Sequence, residues 1–157
     1  MKFKLYKGPE IPDVTDYIKT YISEHPDVEI YVGTDSAKGG KKDGKKGEKV
    51  TTVYITTICF RKPYKGAHYI YSKSTEYRDK DLFTKLWKEV ERTYKIAQLV
   101  KPIIGDRILF LDLDINSLKQ HGSNVAYAAA TGFLIGQGYS VRAKPQSYGA
   151  HAADWLL

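Results

Sequence analysis

The first residue whose type and position suggest chemistry is Asp35, at the end of the stretch EIYVGTDS (29–36). The β-branched and aromatic residues of this stretch favour a short buried strand, and Gly33 leaves room for a backbone or a ligand to come close. A carboxylate held at the edge of a core is costly unless it is paired or binds a metal ion. A lone aspartate at a strand end more often caps a turn, here with Ser36, so the interpretation depends on acids elsewhere in the chain.

A pair of acids, Asp112 and Asp114, interrupts the otherwise apolar run RILFLDLDI (107–115). Such a run is typical of a central strand covered on both faces, and residues two apart share one face of a strand. Burying either acid without a partner would cost several kcal/mol, which is on the order of the stability of a whole domain. The pair therefore favours a functional site over surface decoration.

Further acids lie on predicted helices. At about 100° per residue, Glu89 falls where the rim of a long amphipathic helix meets the sheet, whereas Glu91 points further out. The final segment, HAADWLL, predicts a brief helix that carries Asp154, with His151 one turn earlier. Taken singly, a helical glutamate is usually a surface residue and a partly buried histidine is usually structural.

The candidate acids named above would all bind a metal ion through carboxylate oxygen atoms. Acidic oxygen ligands without cysteine or a cluster of histidines suit a hard cation such as Mg²⁺ or Mn²⁺. Two such ions about 4 Å apart can activate a water and stabilise the leaving oxygen in phosphodiester displacement. Cys59 is the only cysteine, which excludes an intramolecular disulfide and a cysteine-rich zinc site, and we expect it to be a small buried apolar residue.

The elements that must position these acids follow one another without an internal repeat or a domain linker. Their order predicts a single α/β domain over residues 1–157, with a helical extension over 1–27. Three antiparallel meander strands followed by two parallel βα units give a mixed five-stranded sheet flanked by helices, with right-handed crossovers and an extra N-terminal helix. The predicted strands are 29–36, 50–60, 67–77, 107–115 and 139–143, and the main predicted helices are 12–24, 79–100 and 125–137.

The chain carries a formal net charge of +7, which favours a polyanionic partner, and nucleic acid more than a membrane. The lysine- and glycine-rich segment 37–49 predicts a mobile loop between two strands, either a solubilising hairpin tip or a loop that reaches a phosphate backbone. The alternating Tyr69, Tyr71 and Lys73 either stack on bases or form a packed face of the sheet. We expect the following residues to hold a nucleic-acid backbone: Lys41, Lys42, Lys45, Lys46, Arg142 and Lys144.

No apolar stretch approaches the roughly 20 residues of a membrane span. The N-terminal segment MKFKLYKGPE lacks the apolar core of a signal peptide. The sequence therefore predicts a cytoplasmic protein without a membrane partner.

In this order, the elements from Glu29 to Leu157 resemble the ribonuclease H-like superfamily. The motif GTDS after the first strand, an acidic helix after the third, DLDIN at the fourth and KPQSYGAHAAD at the end look most like the YkuK-like group of predicted nucleases. The resemblance implies a metal-dependent nuclease that cleaves RNA, DNA or a hybrid of the two.

The resemblance also implies four carboxylate roles. Asp35 would bridge two Mg²⁺ or Mn²⁺ ions, Glu89 and Asp114 would position one of them, and Asp154 would complete the second. Because Asp112 adds an acid beside Asp114, either of the pair is a candidate ligand. His151 would at most assist product release or proton transfer.

Three other classes of function fit parts of the pattern. A non-catalytic nucleic-acid-binding module would show the same salt dependence without a metal requirement. A sugar-kinase or actin-like ATPase shares the Asp-bearing first strand, but it needs a second domain to close over the nucleotide. A purely structural subunit is also compatible, because a fold alone does not determine a function.

Overall fold

The computed structural model describes residues 1–41, 50–77, 82–113 and 121–143. These residues form seven strands and three helices of a mixed α/β fold. The strands are β1 (Phe3–Leu5), β2 (Glu10–Ile11), β3 (Glu29–Lys41), β4 (Val50–Lys62), β5 (Gly66–Tyr77), β6 (Leu109–Leu113) and β7 (Ser140–Ala143). The helices are α1 (Val14–Glu24), α2 (Leu82–Ile104) and α3 (His121–Gly136).

All seven strands belong to one sheet in the order β2-β1-β5-β4-β3-β6-β7. The meander β3-β4-β5 is antiparallel, and β6 pairs in parallel with both β3 and β7. The five predicted strands correspond to β3 through β7, with α2 and α3 as crossovers. The sheet nevertheless has seven strands and not the predicted five, because an N-terminal hairpin extends it.

That hairpin corrects the expectation that residues 1–27 form a helical extension. β1 pairs with both β2 and β5 before α1 begins. Phe3 is buried in the core and Lys4 is exposed, so the opening residues alternate with the two-residue period of a strand. The physical reason is this alternation, which places the apolar side chains Phe3 and Leu5 on the same face as the helices.

The segment 37–49 also differs from the prediction of a loop over its whole length. β3 continues to Lys41 and pairs with β4 through Ala37↔Val53 and Lys38↔Thr52 before its register shifts. Backbone pairing with a β-rich partner therefore outweighs the weak strand propensity of glycine and lysine over the first five residues. Residues 42–49, which include Lys42, Lys45 and Lys46, lie outside the described residues.

The long helix α2 runs past Pro102, where the sequence predicted its end. Proline removes one backbone hydrogen bond, but the last turn is held by packing, because Val100 and Ile104 are buried in the core. Gly105 then ends the helix with a φ of +62°, and its N–H donates to the carbonyl of Lys101 at 3.3 Å. This left-handed glycine is a common helix terminus.

The three described helices pack on one face of the sheet. α1 contacts β4 through Tyr21 and Phe60, whose ring centroids are 4.5 Å apart. α2 contacts β3, and α3 contacts α2 through Tyr94 and Phe133. The core lies between this helical layer and the sheet, and it includes Ile18, Ile30, Val32, Ile58, Ile70, Val90, Ala97, Leu111 and Leu134. Among the described helices, none combines the length and apolar character that crossing a membrane requires.

Candidate functional site

Asp35 lies just beyond the carboxyl-terminal end of the parallel pairing between the central strands β3 and β6. Its side chain is only 6 % exposed, and its Oδ1 accepts a hydrogen bond from the N–H of Ser36 at 2.8 Å. On one side, Asp35 pairs with Ile55 of β4. On the other side, the last described residue of β6, Leu113, pairs with Thr34, so Asp35 is one residue beyond the described part of that pairing.

Glu89 of α2 reaches the same end of β3. Its Oε1 accepts a hydrogen bond from the hydroxyl of Ser36, the residue directly after Asp35. Glu89 is 5 % exposed, so the helix presents it to the sheet, where the sequence analysis expected the rim of the helix to meet the strands. The structure thus brings Glu89 next to the backbone that carries Asp35.

A buried group of threonine hydroxyls fixes the helix at this position. Thr93 donates to Thr34 at 2.9 Å, and the hydroxyls of Thr34 and Thr56 are hydrogen-bonded at 2.9 Å. All three side chains are buried. Because a buried hydroxyl without a partner is costly, these contacts define how α2 sits on β3 and β4.

The two contacts between α2 and β3 match the periods of the two elements. Thr34 and Ser36 are two residues apart on one face of the strand, a distance of about 6.7 Å. Thr93 and Glu89 are four residues apart on one face of the helix, an axial distance of about 6 Å. The helix therefore runs antiparallel to β3, with Glu89 at the end where Asp35 stands.

Asp112 occupies the opposite face of the sheet from the helices. It lies in register between Gly33 of β3 and Arg142 of β7, and it is 0 % exposed. Since the side chains of Thr34 and Ser36 point to α2, alternation puts Asp35 on the same face as Asp112. The sequence prediction that this strand buries an acid is therefore confirmed for Asp112.

Arg142 covers two aromatic rings on this same face. Its guanidinium carbon lies 4.2 Å from the ring centroid of Phe110 and 5.3 Å from that of Tyr31, and these two rings are stacked with centroids 4.9 Å apart. Burial raises the pKa of Tyr31, although the nearby positive charge of Arg142 acts to lower it. A guanidinium held on aromatic faces is pre-organised for binding an anion.

Cys59 is not a nucleophile or metal ligand in this environment. It is a free, buried thiol, and burial, together with the negative charge of Asp112, raises its pKa to about 12. Because the thiolate is the reactive and metal-binding form, Cys59 stays protonated. Its predicted role as a small buried apolar residue is confirmed.

The remaining predicted site residues divide into two groups. Glu91 is exposed on α2, away from Glu89, and Lys41 is the last residue of β3. Among the residues that the structure describes, no three acids, histidines or cysteines lie close enough together to hold a metal ion. Besides the loop lysines already noted, four predicted residues lie outside the described ranges: Asp114, Lys144, His151 and Asp154.

Sequence reasoning missed Ser36 as a partner of Glu89, and it missed the threonine group. The signal was present in the spacing, because Thr34 and Ser36 alternate with Asp35 in the strand, and Thr93 follows Glu89 by one helical turn. Small hydroxyl residues are common in strands and at turns. Their partners across the helix become visible only when the helix is placed on the sheet.

Comparison with known proteins supplies the remaining observation. A family model described as ribonuclease H-like matches residues 13–154, which is most of the chain. No curated protein and no solved structure matches this sequence.

Proposed function

Because this chain belongs to the ribonuclease H-like family, we propose that it is a metal-dependent nuclease that hydrolyses phosphodiester bonds of RNA or DNA. The finer resemblance to the YkuK-like group stays a prediction. The observation that carries the proposal is that two buried carboxylates belong to neighbouring places at one end of β3. Asp35 is part of the strand, and Glu89 of α2 accepts a hydrogen bond from the next residue, Ser36.

The covalent chain supports a third acid at this place. Asp114 follows Leu113, which pairs in register with Thr34, and consecutive Cα atoms are about 3.8 Å apart. Asp35 likewise follows Thr34. Asp112 lies one pair further back, opposite Gly33, so the order of the sequence favours Asp114 as the third acid of the proposed site.

The chemistry of these donors fits a hard divalent cation. Carboxylate and hydroxyl oxygens are the ligands that Mg²⁺ and Mn²⁺ prefer. The single cysteine, Cys59, is held protonated, so it does not offer a thiolate ligand. We propose that Asp35, Glu89, Asp114 and Asp154 hold the ions. A bound divalent ion would supply Lewis-acid stabilisation of charge on the phosphoryl oxygens.

The protein's own residues would orient the reaction. In hydrolysis, a water oxygen forms a bond to phosphorus while the bond from phosphorus to a sugar oxygen breaks, and the leaving oxygen takes up a proton. The hydrogen bond from Ser36 would orient the carboxylate of Glu89, and the hydrogen bond from Thr93 to Thr34 would hold α2 on β3, before substrate arrives. Such pre-organisation is a main source of catalytic power at charged transition states.

The basic side chains would hold the polyanionic substrate. Arg142, fixed on Phe110 and Tyr31, is a bidentate donor suited to phosphate. We propose that it acts with Lys41, Lys42, Lys45, Lys46 and Lys144, and the affinity for nucleic acid would then fall steeply with salt.

The test is cleavage of end-labelled oligonucleotides by the full chain. Single strands, duplexes, an RNA:DNA hybrid and a four-way junction are incubated in parallel with Mn²⁺, Mg²⁺ or EDTA. The variants are Asp35→Asn and Asp114→Asn, and Asp106→Asn, an exposed aspartate in the turn before β6, is the matched control.

We expect cleavage that requires metal, that persists in Asp106→Asn and that is lost in Asp35→Asn. Intact cleavage in Asp35→Asn would refute the assignment of this residue. If the parent binds nucleic acid in a salt-sensitive way without cutting, and the Asn variants bind equally or better, the protein is instead a non-catalytic binding module, because removal of negative charge favours a polyanion.

A further inference from the structure

A group of tyrosines and lysines lies on the face of the sheet opposite the helices, at the side formed by β1 and β5. We call it the tyrosine–lysine strip. Register places Lys4 beside Tyr71 on neighbouring strands, and the ring centroids of Tyr6 and Tyr69 are 5.6 Å apart. The strip consists of Lys4, Tyr6, Tyr69, Tyr71, Lys73 and Tyr77.

The aromatic rings of the strip are not needed to fill the core. The core-facing residues of the same strands, Phe3 and Ile70, are buried on the opposite face. Tyr6 and Tyr77 are 49 % and 52 % exposed, and Tyr69 and Tyr71 are half-buried. Three of these rings lie on β5, and Tyr6 lies in the turn directly after β1. A surface with four partly exposed aromatic rings resembles a binding surface more than a packed layer.

The charge of this surface is complementary to a polyanion. Lys4 and Lys73 are exposed, and the ammonium group of Lys7 lies 5.4 Å from the ring centroid of Tyr6. On the described part of this side of β1, β2 and β5, the one carboxylate is Glu10, at the outer edge strand. The carboxylate of Glu10 lies 3.9 Å from the ammonium group of Lys2, so a positive charge beside it balances its negative charge.

The register of the sheet places the strip on the same face as Asp35, two strands away, with the buried Ile55 between them. Lys73 pairs with Ile55, and Ile55 pairs with Asp35, so the three residues form one row across β5, β4 and β3. At about 4.8 Å per strand, the Cα atoms of Lys73 and Asp35 are roughly 10 Å apart.

From these observations we propose that the tyrosine–lysine strip binds an unpaired segment of the nucleic acid whose backbone is cut at the Asp35 site. Tyrosine rings stack on exposed bases irrespective of sequence, and lysines track the phosphates. Base pairs in a duplex hide these faces, so the substrate carries a single-stranded segment. This inference rests on the proposed nuclease function and specifies the substrate class of that site.

Binding is measured by fluorescence anisotropy in EDTA, which separates it from metal-dependent cleavage. The probes are labelled oligothymidylate and oligouridylate, longer than a typical single-strand site of roughly 4–16 nucleotides. An abasic strand of equal length and a duplex are the comparison probes. The variants are Tyr6→Ala, Tyr77→Ala and both changes together, and Tyr64→Ala, a fully exposed tyrosine in the turn between β4 and β5, is the matched control.

Because stacking contributes about 1–3 kcal/mol per base, each strip variant is expected to weaken binding of the base-carrying strands roughly 5-fold or more. Tyr64→Ala binds as the parent does. The abasic strand binds parent and variants alike, and Tyr6→Phe and Tyr77→Phe keep the parent's affinity. Equal binding by Tyr6→Ala, Tyr77→Ala and Tyr64→Ala would overturn the proposal, as would equal losses on the abasic strand.

A second pair of variants keeps the test valid if the tyrosine changes disturb the hairpin. Lys73→Ala removes an exposed lysine of the strip, and Lys65→Ala removes an exposed lysine outside it. Lys73→Ala is expected to lower the slope of log affinity against log salt by roughly 0.7, the value for one phosphate contact on a single strand. An unchanged slope contradicts a role for the strip in holding the backbone.

The two proposals fail in different ways. If the parent cuts single strands at a rate that Tyr6→Ala and Tyr77→Ala leave unchanged, the strip is wrong and the nuclease stands. If the parent binds through these tyrosines without cutting in Mn²⁺ or Mg²⁺, the nuclease is wrong and the strip stands. Tighter binding of duplex than of single strands through the same tyrosines overturns the proposed substrate class.

Discussion

The hydroxyl of Ser36 in β3 donates a hydrogen bond to the carboxylate of Glu89 in α2, directly beside Asp35. This contact joins an acid of the helix to the strand that carries the first predicted acid. It also orients the carboxylate of Glu89 through a side chain of β3. The proposed site is therefore built on two regular elements, which hold side chains more precisely than loops do.

Replacement of Glu89 tests the function of this carboxylate separately from its structural role. Glu89→Gln keeps the shape of the side chain and an oxygen that can accept the hydrogen bond from Ser36, so the variant should remain folded. Metal-dependent cleavage should fall at least about 100-fold, because a charged ligand is lost. Glu91→Gln, at an exposed position of the same helix, should change neither, and equal activity of the two variants would contradict the proposed role.

The threonine contact between α2 and β3 should contribute measurably to stability. Thr93→Val preserves the shape of the side chain but removes the donor to Thr34. We expect a loss of about 1 kcal/mol in the free energy of unfolding, seen as a decrease of about 2–4 °C in Tm. Thr20→Val, at an exposed position of α1, makes the same change without a buried partner, and a decrease of similar size there would show that Thr93 has no special role.

The aromatic cluster between α1 and β5 should make stability depend on pH. Burial and the nearby His25 lower the pKa of His68 from 6.5, and Nε2 of His68 lies 2.6 Å from the hydroxyl of Tyr17. The folded state therefore binds a proton at lower pH than the unfolded state does. The contribution of neutral His68 to the free energy of unfolding is complete above pH 6.5. It is lost as the pH falls through that value towards the pKa of His68 in the folded state.

Thermal unfolding from about pH 8 to pH 5 measures this contribution. The Tm of the parent should decrease over the acidic half of the range. His68→Phe retains a ring that can stack on Phe60 and Tyr21 and removes the titrating group, so its decrease should be smaller. If the parent protein gained stability below pH 6.5, the pKa of His68 would be raised by folding and not lowered, and this prediction would be wrong.

Cys59 should be unreactive in the folded protein. With a pKa of about 12, the thiolate fraction at about pH 8 is on the order of one in 10⁴, and the side chain is buried. A thiol reagent such as a dithio-nitrobenzoate should label one cysteine only after denaturation. Rapid labelling of the native protein would show that β4 opens readily.

The central strands were predictable because their side chains alternate with a period of two and include a run of apolar residues for a buried face. The run VTTVYITTICF of β4 and the alternating tyrosines of β5 indicate strands by propensity alone. The N-terminal hairpin carries the same signal in Phe3 and Leu5, but over only three residues of β1. A strand this short is stabilised by its pairing with β5, a partner that is distant in the sequence.

The position of Glu89 was harder to predict for a different reason. Sequence periodicity locates the apolar face of α2, and it assigns an acid to the edge of that face because burial of a charge is unfavourable. In the structure Glu89 lies at this edge and is buried, and both Glu89 and Thr93 are hydrogen-bonded to hydroxyls of β3. Polar groups that find partners across an interface are invisible to a hydrophobic pattern, which is why functional residues often depart from it.

The hairpin at the N-terminus has a consequence for the surface of the sheet. Without it, β5 would present a 12-residue edge, and long flat edges with unpaired N–H and C=O groups are templates for pairing between chains. β1 covers the middle of that edge through Lys4↔Tyr71 and Leu5↔Ile70, and the sheet ends on this side in β2, a strand of two residues followed by Pro12. The first eleven residues thus protect the protein against strand-to-strand aggregation.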